Sequence, residues 1–146
     1  MIKLNTAIRQ LIIEDAKNCY PDECCGFFYG KENADGDRLV EQALIINNAK
    51  EGDKRKRFEI SPQDYMKGEQ FASDHQLDFL GIYHSHPDHP AIPSEHDRVA
   101  AQPWFSYIII SVLSGKETAL RSWRLNDDFR FEEEIVNQNS VQNINS

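Results

Sequence analysis

Tyr107-Ile108-Ile109-Ile110-Ser111-Val112-Leu113 constrains this chain more than any other stretch. It is apolar and rich in β-branched side chains, and polar and apolar residues do not alternate along it. That pattern reads as a strand buried on both faces. It is far short of the ~20 apolar residues that a membrane helix requires. A strand covered on both sides needs a layer of structure above and below its sheet. At 146 residues the chain is the size of one domain, long enough to supply both layers.

The covering layers are visible as two helical patterns. Ala7, Ile8, Leu11, Ile12, Ala16 and Cys19 recur at helical spacing, with Asn5 or Thr6 available as a cap, and Pro21 stops the helix. Ser61-Pro62-Gln63-Asp64 starts a second helix that should reach about His75, with serine capping and proline at the first helical position. Between and after them the chain reads as strands. These are Cys24 to Gly30, Leu39 to Ile46, Phe79 to His86, Tyr107 to Leu113, a partner running through Trp123, and a last one from Phe129 to Val136. A short helix begins at Ser94. Helices interleaved with strands give an α/β or α+β sandwich with helices on the sheet.

Composition removes several function classes. A net charge of −8 gives no support for a nucleic-acid surface. Lys54-Arg55-Lys56-Arg57 is the only basic cluster; Glu51, Asp53 and Glu59 surround it, and it reads as a solvated loop. No signal peptide or membrane segment is visible. Three cysteines, two of them adjacent, do not make a disulfide framework, so a reducing cytoplasm is the expected compartment. Cys24 and Cys25 have no visible base beside them and read as small buried hydrophobes rather than nucleophiles.

The chemistry is concentrated in residues 81–97, "GIYHSHPDHPAIPSEHD", which hold four of the five histidines. Residues two apart on a strand point the same way, about 7 Å apart. Leu80, Ile82, His84 and His86 should therefore share one face, apolar at first and imidazole at its C-terminal end. Two imidazoles so placed can converge on a cation at about 2.0–2.1 Å each. Asp97 is the natural third ligand, in the first turn of a helix capped by Ser94, where free N–H groups favour a carboxylate. Three prolines, Pro87, Pro90 and Pro93, restrict how that helix returns to the strand. His89 reads as a loop residue, His96 as solvent-facing, and His75 has no visible partner. The same run also spells H-x-H-x-D-H, as in metallo-β-lactamase-like hydrolases. That reading fails because no histidine follows His96.

His84-Ser85-His86-Pro87, six residues, Ser94, two residues and Asp97 resembles the JAMM motif of the MPN-domain (Mov34/JAB) metallopeptidases. The family pattern also has an upstream glutamate in a segment similar to residues 21–30, "PDECCGFFYG", and Glu23 stands at that place. From the residues alone, Asp22 and Glu23 rank equally as an acidic turn; the family's E-x-C-G-like pattern selects Glu23. The resemblance spans residues 1–136 as one MPN/JAMM metallopeptidase domain and leaves 137–146 as a polar tail, expected to be disordered.

What the resemblance implies is specific. The fold would be a three-layer α/β/α sandwich with a mixed sheet, of the MPN/JAB kind and cytidine-deaminase-like. A deaminase itself is disfavoured, because no P-C-x-x-C segment follows an H-x-E. Zinc (Zn2+) would be held by His84, His86 and Asp97 with a water in the fourth position. Glu23 would act as general base and then acid, and Ser94 would orient or stabilise the developing oxyanion. The stretch after Asp97 leaves little room for the insertions with which eukaryotic relatives grip ubiquitin, so the chain resembles the compact prokaryotic form. That form implies hydrolysis of a peptide or isopeptide bond at the C-terminus of a ubiquitin-like or sulfur-carrier protein. Two rivals remain at this point: a non-catalytic MPN scaffold that binds partners, and a purely structural metal site.

Overall fold

Eight strands and three helices make up residues 1–138, which a computed structural model of the chain describes. In chain order they are β1 (Ile2–Leu4), α1 (Thr6–Cys19), β2 (Cys25–Glu32), β3 (Arg38–Ile46), α2 (Pro62–His75), β4 (Asp78–Pro87), α3 (Glu95–Ala100), β5 (Ser106–Leu113), β6 (Lys116–Leu125), β7 (Phe131–Glu134) and β8 (Val136–Gln138). All the strands join one mixed sheet in the order β7-β6-β5-β4-β2-β3-β1-β8. β4 pairs in parallel with β5, and β1 with both β3 and β8; the remaining pairs are antiparallel.

β7 and β8 lie at opposite edges of the sheet, yet only Ile135 separates them in the chain. The sheet therefore twists and curls until its edges approach one another. The Ile2 N–H donates to the Ile135 carbonyl at 2.9 Å, where the chain enters its parallel pairing with β1. α1 lies on the side where it meets β3, β4, β5 and β6, whereas α2 covers the other face against β4. β5 is covered on both faces, and the α/β/α layering that the resemblance implied is what the chain forms, with Ile108, Ile110 and Val112 in the α1 layer and Tyr107 in the α2 layer.

Local chemistry sets the helices. Asn5 caps α1 by accepting from the Ile8 N–H at 2.8 Å, and Ile8, Ile12 and Ala16 form its buried stripe. The helix ends where Tyr20 turns extended ahead of Pro21. Ser61 caps α2 by accepting from Asp64 N–H at 3.1 Å. Its buried residues are only Gly68 and Ala72, so it approaches the sheet closely: Tyr29 OH donates to the Gly68 carbonyl at 2.9 Å. A Cβ on Gly68 would come within 2.5 Å of the Phe27 ring.

The structure departs from the sequence reading in four places. β1 was not expected; three residues are too few to show an alternation, although Ile2 and Leu4 are fully buried. The single last strand expected from Phe129 to Val136 is two strands on opposite edges, because the backbone leaves one edge and joins the other at Ile135. β8 carries the described fold through Gln138, two residues past the expected boundary at 136, and the rest of the expected tail, 139–146, lies outside the described residues.

The fourth departure concerns the site strand. Phe28 pairs with Gly81 but Tyr29 pairs with Phe79, so β4 carries one extra residue, a β-bulge at Leu80. The bulge turns Leu80 into the α1 layer while Ile82 stays in the α2 layer. The face leading to the histidines is thus Phe79, Ile82, His84 and His86, and not the one that ran through Leu80. Arg38, fully buried, holds the bulge: its Nη1 donates to the Leu80 carbonyl at 3.1 Å and to Ser106 Oγ at 3.0 Å.

Candidate metal centre

His84 and His86 sit at the C-terminal end of β4, both buried. Their Nε2 atoms are 3.2 Å apart, and Asp97 Oδ2 lies 3.4 Å from the first and 3.2 Å from the second. Four ligands held tetrahedrally at about 2.0–2.1 Å from a zinc ion stand about 3.3–3.4 Å from one another. The three protein atoms therefore already form one face of such a tetrahedron. Among the described residues this is the only group of three or more His, Cys, Asp or Glu ligand atoms so gathered.

The donor set fits a cation on chemical grounds too. His86 Nδ1–H donates to the Pro90 carbonyl at 2.8 Å, which fixes the tautomer and leaves the Nε2 lone pair pointing inward. Lone pairs and a carboxylate at this spacing repel unless something positive lies among them. Burial disfavours the charged form of His86, but Asp97, the Pro90 carbonyl and Glu23 outweigh it and raise its pKa. Burial also works against the Asp97 carboxylate, yet the two histidines and the Ser94 N–H hold it far below the usual range. Complete burial lowers the pKa of His84. Its Nδ1 is buried with no hydrogen-bond partner among the described residues.

Asp97 reaches the histidines through a capping box at the start of α3. Ser94 Oγ accepts from the Asp97 N–H at 3.1 Å, and the Ser94 N–H donates to Asp97 Oδ2 at 2.9 Å. One carboxylate thus both caps the helix and faces the cluster. The hydroxyl proton of Ser94 is not used by the cap. The loop before it is tied down carbonyl by carbonyl: Ser111 Oγ donates to His89, His86 to Pro90, and Trp123 Nε1 to Ala91 at 3.1 Å. Asp88, in the left-handed region at φ 58, accepts from Tyr20 OH at 2.7 Å and from the Ser114 N–H at 2.8 Å. The prolines alone do not shape this turn.

Glu23 precedes β2, where Cys25 pairs with His84. Cys24 N–H donates to Ser85 Oγ at 2.8 Å and the Cys24 carbonyl accepts from the Ser85 N–H, which continues the alignment and sets Glu23 opposite His86. Alternation puts Glu23 on the same face as Cys25 and the histidines. It is 6% exposed. Burial pushes its carboxyl up to about 8, against the opposing charges of His86 and Arg57. Asp22, its rival in the sequence, is half-exposed. Cys24 and Cys25 are buried free thiols, and burial pushes Cys25 up to about 12, which leaves it protonated.

A cavity of about 320 Å³ opens beside the cluster, with Phe58, Ile60, Tyr65, Ile82 and Tyr107 as its apolar walls and His84 and Asp97 at one end. Phe58 stacks on His84, ring centroids 4.6 Å apart. His96 lines the cavity without joining the cluster, and His89 is an exposed loop residue. His75 has a partner after all, stacking on Phe71 at 3.9 Å. Phe58, Trp123 and Ser111 carry no signal in the sequence that marks them for this site. Each lies far along the chain from the histidines, and none carries a motif.

A sequence profile for prokaryotic homologues of the JAB domain matches residues 5–126. A desampylase of Haloferax volcanii is 32% identical over 118 residues, 80% of each chain. A CysO-cysteine peptidase of Mycobacterium tuberculosis is 29% identical over 125 residues, 85% of this chain and 82% of its own. A solution structure of a protein from Desulfitobacterium hafniense, 29% identical, superposes with a TM-score of 0.83 over 95% of this chain and 93% of that one. A JAB1/MPN domain protein from Archaeoglobus fulgidus shares the fold at 16% identity, with a TM-score of 0.59 over 95% and 97% of the two chains.

Proposed function

Because the chain belongs to the family of prokaryotic homologues of the JAB domain, we propose that it is a zinc-dependent metallopeptidase. Its substrate would be a peptide or isopeptide bond at the C-terminus of a ubiquitin-like or sulfur-carrier protein. The carrying observation is that three ligand atoms converge at tetrahedral spacing with a buried carboxylate, Glu23, on the same face. The relatives named desampylase and CysO-cysteine peptidase support that substrate class. The free cysteines support a cytoplasmic compartment. No helix among the described residues is long and apolar enough to cross a membrane.

His84, His86 and Asp97 would hold the metal. When bound, zinc supplies Lewis acidity, polarising a carbonyl and lowering the pKa of water to about 7. The chain's own residues do the rest. Glu23, poised high by burial and drawn down by a neighbouring cation, takes a proton from the attacking water and later gives it to the leaving amine. The free hydroxyl proton of Ser94 donates to the oxygen on which negative charge develops. Phe58, stacked over His84, keeps bulk water off that imidazole, and the apolar cavity receives a side chain of the substrate's tail.

The test is Glu23→Gln, assayed on a carrier protein fused through its C-terminal glycines to a reporter. Turnover should fall by about a hundred- to ten-thousandfold, while zinc content by mass spectrometry stays as in the unchanged chain. Unaltered turnover would remove Glu23 from the mechanism.

A further inference from the structure

The basic cluster at residues 54–57 read from sequence as a solvated loop, but its position in the fold is particular. The loop is fastened on both sides to the main chain of Glu23. The Glu23 N–H donates to the Lys54 carbonyl at 2.8 Å. Asn48 Nδ2 donates to the Glu23 carbonyl and to the Arg57 carbonyl, each at 3.1 Å. The next residue along, Phe58, is the one stacked on His84. The cations are therefore held at the rim of the centre, around the buried carboxylate, in a chain whose net charge is −8.

They are also largely unspent. Asp53 takes Arg55 at 3.0 Å, and Glu59 takes Lys50 at 3.5 Å. Among the described residues no carboxylate lies within ion-pair distance of Lys54, Lys56 or Arg57, and all three are exposed. Glu51, Asp53 and Glu59 flank the cluster and Arg57 acts on Glu23, yet Lys54 and Lys56 keep exposed ammonium groups without an ion pair among the described residues, which an anionic surface can meet.

We infer that this loop is a docking surface for an acidic face of the carrier protein, next to the point where the carrier's tail enters the centre. The inference rests on the peptidase reading and adds the chemistry of the partner: negative side chains flanking the tail, rather than the tail itself. Docking of this kind speeds encounter and sets orientation, and it weakens as salt screens the charges.

The experiment compares two substrates with the same reporter amine: a whole acidic ubiquitin-like carrier ending in Gly-Gly, and a short peptide copying only its tail. In the zinc-loaded chain carrying Lys54→Glu and Lys56→Glu, kcat/KM for the whole carrier should fall about tenfold at low salt. The gap should close at ~1 M salt, where the screening length is about 3 Å. The peptide should be cut at an unchanged rate. A carrier with its acids beside the tail replaced by lysines should recover with the doubly substituted chain and slow with the unchanged one. Equal losses for carrier and peptide would overturn docking, since they would place the effect on Glu23. So would an unaffected carrier, or an RNA oligonucleotide bound only by the unchanged loop while carrier cleavage is unaffected. If neither substrate is cut, the peptidase reading has failed. The loop is then judged by calorimetry of the Glu23→Gln chain with the carrier: weaker binding with the loop substitutions supports docking, and equal or absent binding overturns it.

Discussion

Among the described residues, Asp15 and Glu23 are the buried carboxylates, one against each face of this sheet, and the two are treated differently. On the α1 face Asp15 accepts a hydrogen bond from Tyr83 OH at 2.7 Å and a longer one from Cys19 Sγ at 3.6 Å. On the α2 face Glu23 is as deeply buried, and only charges, not hydrogen-bond donors, are found balancing its desolvation. Burial raises the pKa of both. Each oxygen of Asp15 accepts from one side-chain donor, while among the described residues no donor reaches the Glu23 carboxylate. Hydrogen-bond satisfaction, more than burial, separates the structural acid from the candidate catalytic one.

The largest effects should fall on the α2 face. His86→Ala should abolish turnover and reduce zinc from about one per chain to none, read by mass spectrometry, while circular dichroism stays that of a folded chain. Retained zinc would mean that the cluster is not the site. On the α1 face the cost should appear in stability. A Cβ at position 26 would lie 2.2–2.4 Å from the Tyr83 ring. Gly26→Ala should therefore lower stability by about 3 kcal/mol, the upper end of overpacking costs, in urea denaturation. Asp15→Ala leaves the buried Tyr83 hydroxyl without its acceptor and should cost about 1–3 kcal/mol. Its folded fraction should keep kcat/KM, and a comparable loss of turnover would erase the contrast between the two acids.

The smallest effect is in pH dependence. Asp15 has its folded pKa raised, so the native state binds more protons than the unfolded one between the two values. Its contribution is present below the unfolded pKa of about 3.9 and is lost as pH rises through the folded value. Asp15→Asn keeps an acceptor for Tyr83 and should flatten that fall, seen as a smaller drop in melting temperature from mildly acidic to neutral pH. An unchanged slope would show that Asp15 does not titrate differently in the two states.

Much of the fold was legible along the chain. Apolar periodicity marked α1, capping residues marked α2 and the start of α3, and the mostly apolar run of β5 demanded a layer on each side. The three candidate ligands were legible for a different reason. His84 and His86 share a strand, and Asp97 follows within one loop and one capping box, so short-range geometry places all three. Glu23 was reachable only through its resemblance to the JAMM pattern, because its position opposite His86 depends on how β2 pairs with β4.

Contacts distant in the chain were decided by the tertiary structure alone. The bulge at Leu80 depends on the register between β2 and β4, and one inserted residue exchanges the faces of the strand before it. The division of residues 131–138 between two sheet edges depends on a curl summed over every strand. The closing of the turn from His86 to Asp97 depends on Trp123 and Ser111 reaching back from other strands. The meaning of the basic loop depends on Asn48 fastening it beside Glu23. The sequence by itself determined which side chains could bind a cation and which segments could be helix or strand, because both follow from spacing over a few residues. Which acid stands over the site, and which charges surround it, was decided by strand pairing between residues far apart, which no local pattern encodes.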